Sequence, residues 1–274
     1  MATLRRIILS TFTSPVVAAV CLTAASVMVM RSVTTPMPIG RVIDAQIALE
    51  SDPNFSREQR GHPADFSAEE LRLLEQRFGI HGPQTPIAQL FTRSVDQLEP
   101  LRALTLTHLA QLKPVILRES AAHRLNPMLL TGILYDEIQH SKPGESLPFV
   151  AHSGLVSTHG PAQLGISELI HQGRLPANPS DLEIAEARDI LLDPEQNVAL
   201  LAGKLARLKK ALDLPNNRHL SASNSFADAK AIATLAYLHN GKLDYPRRIL
   251  RYMQDPALHG LIYSTFVPQK SMAI

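Results

Sequence analysis

From Val95 onward, apolar residues recur at three- and four-residue steps, and no segment alternates apolar with polar residues as a half-buried strand does. The pattern predicts helices at Val95 to Leu112, Pro114 to Arg124, Pro127 to Gln139, Ala162 to Gln172, Pro194 to Leu212, Phe226 to His239 and Pro246 to Gln254. The expected fold class is all-α. Two starts are well marked. Asn126 before Pro127, and Asp193 before Pro194, pair a side chain able to accept a free amide with a proline whose missing N–H had no partner in the first turn. After Pro194, the residues Val198, Leu201, Leu205, Leu208 and Leu212 form one apolar stripe, with Lys204, Arg207, Lys209 and Lys210 on the other faces. Those four cations are expected on a solvated helix face.

The first third of the chain is patterned differently. Arg5 and Arg6 precede a mostly apolar run from Ile7 to Met30, closed by Arg31. A run of this length fits a membrane-spanning helix, which needs roughly 20 residues, better than the core of a cleaved signal, about 7 to 15. Residues 1–31 are thus expected to be a signal anchor or an export signal, with Arg5 and Arg6 inside and the rest across the membrane. Residues 32–94 are rich in Pro, Asp, Gln and His and are expected to be a linker. It carries a short accessory helix at Ser67 to Phe78, where Ser67 and Glu70 read as a capping box. The globular domain is expected to span 95–265, with a tail at 266–274.

Composition adds limits. The chain has 274 residues, 45% hydrophobic and 19% charged, enough for one moderate domain with a core plus extra segments. Twenty Pro, thirteen Gly and no Trp fit short helices separated by loops. A net charge of +2 gives no reason to expect nucleic acid. The one cysteine, Cys21, lies in the N-terminal apolar run, so the remainder can form no internal disulfide and the compartment must be read from the N-terminus.

The candidate chemistry begins at Glu137. The helix Pro127-Met128-Leu129-Leu130-Thr131-Gly132-Ile133-Leu134-Tyr135-Asp136-Glu137 is apolar nearly all round. Its terminal carboxylate is therefore expected against apolar surroundings and the negative end of the helix dipole. Both disfavour the ionised form, as a proton donor working near neutral pH requires.

This segment resembles the first motif of the lytic transglycosylases, peptidoglycan-cleaving enzymes in which a Pro-started apolar helix ends in the catalytic Glu, usually followed by Ser. Here Ile138 stands in that position. Ser157-Thr158-His159-Gly160-Pro161-Ala162-Gln163-Leu164 is similar to the family segment that walls the sugar groove, and Gly160 and Gln163 are the substrate-binding candidates it implies. Gly160 would permit a tight turn, and Gln163 offers both donor and acceptor to sugar hydroxyls or N-acetyl groups. Asn197, in Asp193-Pro194-Glu195-Gln196-Asn197-Val198, matches the family's start of a long core helix and reads as structural. Ala233 to Gly241 resembles the segment whose Tyr contacts the catalytic Glu, which carries that role to Tyr237. The four matches run in the family's order and imply a divergent member with a lysozyme-like helical domain.

The resemblance implies that Glu137 protonates the glycosidic oxygen between N-acetylmuramic acid and N-acetylglucosamine, then acts as base on the muramyl C6 hydroxyl, giving an anhydro-muramyl end. No cofactor, metal or second carboxylate is needed. Glu145 and Glu168 are candidate helpers, and either one facing Glu137 would suit a hydrolase instead. Asp136 is not, since adjacent helical residues point about 100 degrees apart. The implied partners are peptidoglycan glycan strands, the inner membrane through the N-terminal helix, and an envelope protein complex. The implied location is the periplasm, anchored or exported. Two other classes fit parts of the chain. One is a non-catalytic glycan-binding scaffold of the envelope, favoured by Ile138. The other is a metal-dependent hydrolase, in which Asp136 and His140 on one helix face would be completed by His152, His159 or His239.

Overall fold

The computed structural model describes residues 61–79, 89, 92, 94–95, 98–141, 148–154, 156–215 and 219–264. The expected N-terminal helix at 1–31, the tail at 266–274 and Glu145 lie outside the described residues. The fold is all-α, and no strand occurs among the described residues. The helices are α1 Ala68–Phe78, α2 Glu99–His123, α3 Pro127–Gln139, α4 Pro148–His152, α5 Ile166–His171, α6 Asp181–Leu192, α7 Pro194–Ala211, α8 Phe226–Asn240, α9 Tyr245–Tyr252 and α10 Pro256–Tyr263. No helix among the described residues is long and apolar enough to cross a membrane.

Helix α3 is central. Asn126 caps it by accepting the Met128 amide, and every residue from Met128 to Asp136 is buried. Helices α2, α9 and α10 pack around it. Each fully buried aliphatic side chain contributes roughly 1.5–3 kcal/mol, so the run through Leu134 holds the axis of the helix firmly and fixes where its last turn points.

Four expectations change. The helices expected on either side of Pro114 are one helix, α2, with Pro114 inside it. A proline in a helix interior costs about 3 kcal/mol. Leu109, Leu112, Val115 and Ile116, on both sides of it, enter the same core and offset that cost. Helices α6 and α10 were not expected, although Ser180 with Glu183 closes a capping box and Asp255 before Pro256 repeats the start signal of α3. The helix expected from Ala162 begins only at Ile166, because Ala162 to Leu164 are used in a tight turn. Helix α1 is where its capping box puts it, but it is not a detached spacer. Leu73 and Leu74 are buried in the main core, and the buried Glu70 carboxylate pairs with Lys230 of α8 at 2.9 Å.

Candidate functional site

Glu137 projects from the last turn of α3 with its side chain 13% exposed. It lines two adjoining cavities. One, of about 340 Å³, is polar and is walled by His140, Ser141, Thr158, Gln163, His239 and Asn240. The other, of about 380 Å³, has apolar walls that include Leu101, Leu104, Leu112, Ile138, Pro161 and Leu192. Gln163 borders both, and Gly160 the second. The structure therefore brings Glu137, Gly160 and Gln163 together.

The expected apolar isolation of Glu137 is not what surrounds it. Three polar groups converge on one oxygen, Oε1. The Tyr245 hydroxyl donates to it at 2.8 Å, the Asn240 side-chain amide reaches it at 3.4 Å, and His239 Nε2 stands 3.4 Å away. The other oxygen, Oε2, takes no hydrogen bond from the described residues. Burial, and then the charges of Glu137 and Asp136, push the Tyr245 phenol well above its ordinary value, so it stays a hydroxyl donor at any physiological pH. Burial, reinforced by the Lys204 charge, pushes the His239 imidazole down despite Glu137 beside it. Lys204 is half-buried, with its ammonium on the His239 carbonyl at 3.0 Å, and its desolvation lowers its pKa.

Asp136 serves the scaffold. It lies one residue before Glu137, with its carboxylate held by Arg248 of α9 through Nε at 2.8 Å and Nη2 at 3.0 Å. Burial raises the Asp136 pKa, but hydrogen bonds from His140 and Arg248, with their charges, outweigh it and leave the group below its ordinary value. This clamp orients the last turn of α3 and consumes the carboxylate that a metal reading would use. His152 pairs instead with Asp189 at 2.9 Å. No three metal-ligating side chains converge among the described residues.

The wall opposite Glu137 is a turn closed by paired backbone bonds between His159 and Leu164, at 2.8 and 3.0 Å. Gly160 has φ +73, and a Cβ there would collide with the Leu191 carbonyl and the Asn197 side chain. Glycine is required by both the backbone and the packing. Asn197 is the clamp. Its Oδ1 accepts the Ala162 amide at 2.7 Å, and its Nδ2 donates to the His159 and Leu191 carbonyls at 3.0 and 2.9 Å. Gln163 sits at φ +46 and is fixed at the rim, accepting from Thr158 at 2.8 Å and donating to the Gly160 carbonyl at 3.3 Å.

Tyr237 is placed elsewhere. Its ring packs on Phe66 at a centroid distance of 5.2 Å, and its phenol is raised by burial and by Glu75, a residue of α1. The phenol on Glu137 belongs to Tyr245. Glu168, the other described helper, is buried and bound to Arg207 at 2.8 Å and Gln172 at 2.9 Å. The cations expected on a solvated face of α7 are largely spent internally: Lys204 on a carbonyl beside the site, Arg207 on Glu168, and the buried Lys209 on the Arg124 carbonyl at 3.3 Å. No protein-family model, curated protein or solved structure matches this chain.

Tyr245 and Asn240 are site residues that sequence reasoning missed, while His239, expected only as a metal ligand, and Lys204, expected in solvent, stand beside Glu137 in other roles. A signal existed for the first. Tyr245-Pro246 opens a helix directly after the Gly241 that ends α8, which returns the chain to the end of α3.

Proposed function

We propose that this chain is a peptidoglycan lytic transglycosylase whose helical domain is lysozyme-like. The observation that carries the reading is Glu137, placed between a polar and an apolar cavity with a Tyr hydroxyl fixing one of its oxygens. Glu137 is the one described carboxylate that lines either cavity, and Glu168 is occupied by Arg207. That favours a reaction with one acid over the two-carboxylate route of most glycosidases.

In this reaction a proton leaves Glu137 Oε2 for the glycosidic oxygen between N-acetylmuramic acid and N-acetylglucosamine. The C–O bond breaks, and its electron pair stays with the departing sugar oxygen. The carboxylate then takes the proton of the muramyl C6 hydroxyl as that oxygen closes onto the anomeric carbon. No water is consumed and Glu137 ends protonated as it began. Hydroxyl and amide groups of Thr158, Gln163 and Asn240 suit the sugar on the polar side. In this reading the protein works in the periplasm on glycan strands, held to the inner membrane by its N-terminal helix or released after export.

The test is digestion of purified peptidoglycan by a fragment lacking the first thirty-one residues, beside Glu137→Gln, with the released sugars identified by mass spectrometry. Anhydro-muramyl ends made by the first and lost in the second support the proposal. Reducing ends would indicate hydrolysis. Binding of strands without release of sugars, in a folded protein, would identify a glycan-binding scaffold.

A further inference from the structure

His239 has a geometry that the reaction above does not yet use. Its ring is inside the protein, 3% exposed, at the end of α8. Nε2 faces Glu137 Oε1 at 3.4 Å, and Nδ1 is buried with no hydrogen-bond partner among the described residues. The two nitrogens cannot exchange roles without loss. With the proton on Nδ1, a buried donor would go unpaired and the Nε2 lone pair would point at a carboxylate oxygen. With the proton on Nε2, Nδ1 is a bare acceptor, and Nε2–H stands within reach of Oε1. Burial opposes a second proton on the ring, and so does the Lys204 ammonium of α7 on the carbonyl of His239 itself, while Glu137 and Asp136 on α3 favour it and the Tyr245 phenol on α9 is neutral.

We propose that His239 is a positioning residue: a neutral Nε2–H donor which, with Tyr245, holds Glu137 Oε1 so that Oε2 alone carries the transferred proton. This rests on the transglycosylase reading for its catalytic consequence, though not for its geometry. When the proton leaves Oε2 for the glycosidic oxygen, the remaining electron pair is shared with Oε1, where the His239 and Tyr245 donors already wait. Their bonds strengthen as charge develops, which is where a donor accelerates a reaction. At 3.4 Å the donor is within reach but loosely held, and the contact is expected to shorten as the carboxylate charges. In this chain the arrangement supplies from α8 a polar contact to Glu137 that Ile138, an apolar residue facing the second cavity, does not.

The full-length chain labelled with 15N-histidine, compared with His239→Gln to assign the signal, reports tautomer and charge of the ring from pH 5 to 8. A neutral Nε2–H ring throughout is expected. An Nδ1–H ring, or an imidazolium in that range, overturns the proposal whatever the activity. On peptidoglycan, His239→Leu is expected to lower kcat about tenfold with KM nearly unchanged, the loss of one hydrogen bond to a charged group. His239→Gln, which can place an N–H near the same point, is expected to recover most of it. Unchanged kcat in folded His239→Leu, or no recovery in folded His239→Gln, overturns the proposal. If the wild-type chain cleaves no strands, it is the transglycosylase reading that fails, and the tautomer then decides the positioning of Glu137 alone.

Discussion

Tyr245 donates its hydroxyl to Glu137 Oε1 across 2.8 Å, from the first turn of α9, while Tyr237 on α8 stacks against Phe66. The two tyrosines are close in sequence and opposite in role. Removing the Tyr245 hydroxyl deletes a bond to a charged group, worth about 1.5–3 kcal/mol. Tyr245→Phe is therefore expected to lower kcat on peptidoglycan by about tenfold or more, while Tyr237→Phe stays within about twofold. A Tyr245→Phe variant that also stays within about twofold would mean that the phenol on Glu137 has no part in the reaction.

Asp136 and Arg248 form a buried pair beside that contact, and breaking one partner leaves a charge in the core. Arg248→Met is expected to destabilise the protein by about 3–5 kcal/mol at pH 7, read by urea denaturation. The pH dependence follows from the lowered pKa of Asp136. A carboxylate held below its unfolded value, about 3.9, contributes stability that is complete above that pH and is lost as pH falls through the folded value. The difference between wild type and Arg248→Met should therefore shrink as pH falls, beginning above about pH 4, because burial raises the Asp136 pKa in the variant and protonation there removes the uncompensated charge. A difference that stays constant down to pH 3 would contradict the assignment.

What the sequence made legible was local. The start of α3 at Asn126-Pro127, the stripe of α7 and the capping box of α1 are decided by neighbouring residues, and each occurs where the pattern put it. Glu137, Gly160 and Gln163 meet because their motifs sit at the ends of such elements. What stayed hidden depends on tertiary packing. Pro114 reads as a break until Leu109 and Ile116 are seen to share one core. Lys204 and Lys209 read as solvated until the carbonyls of His239 and Arg124 are found above them. Tyr245 reads as a helix start, and nothing in its neighbours says that α9 aims it at α3.

The turn that carries Gln163 hangs on Asn197 and tolerates no side chain at Gly160. Asn197→Ala removes three hydrogen bonds and leaves the Ala162 amide and two carbonyls without that partner. A loss of about 2–4 kcal/mol is expected, with Gly160→Ala at least as severe because it adds a collision to a left-handed backbone. Thermal denaturation measures both. A Gly160→Ala protein with unchanged Tm would show that the turn is not held as described.

Helix α1 gives the last prediction. Had it been a spacer, removing it would leave the domain unaffected. It instead buries Leu73 and Leu74 in the main core and places Glu70 against Lys230 at 2.9 Å, with both side chains 5% exposed. Lys230 also stands 4.4 Å above the Phe66 ring, so the same ammonium is enclosed by the segment on two sides. Deleting the segment would uncover the apolar core under Leu73 and Leu74 and open Lys230 to solvent. A fragment starting at residue 95 is expected to be less stable than one starting at residue 61 by about 3 kcal/mol or more, the burial of those two leucines. In the longer fragment, Lys230→Met and Glu70→Ala each leave the other charge buried without its partner, and each should cost about 3–5 kcal/mol. Equal midpoints for the two fragments in urea would return α1 to the status of a spacer.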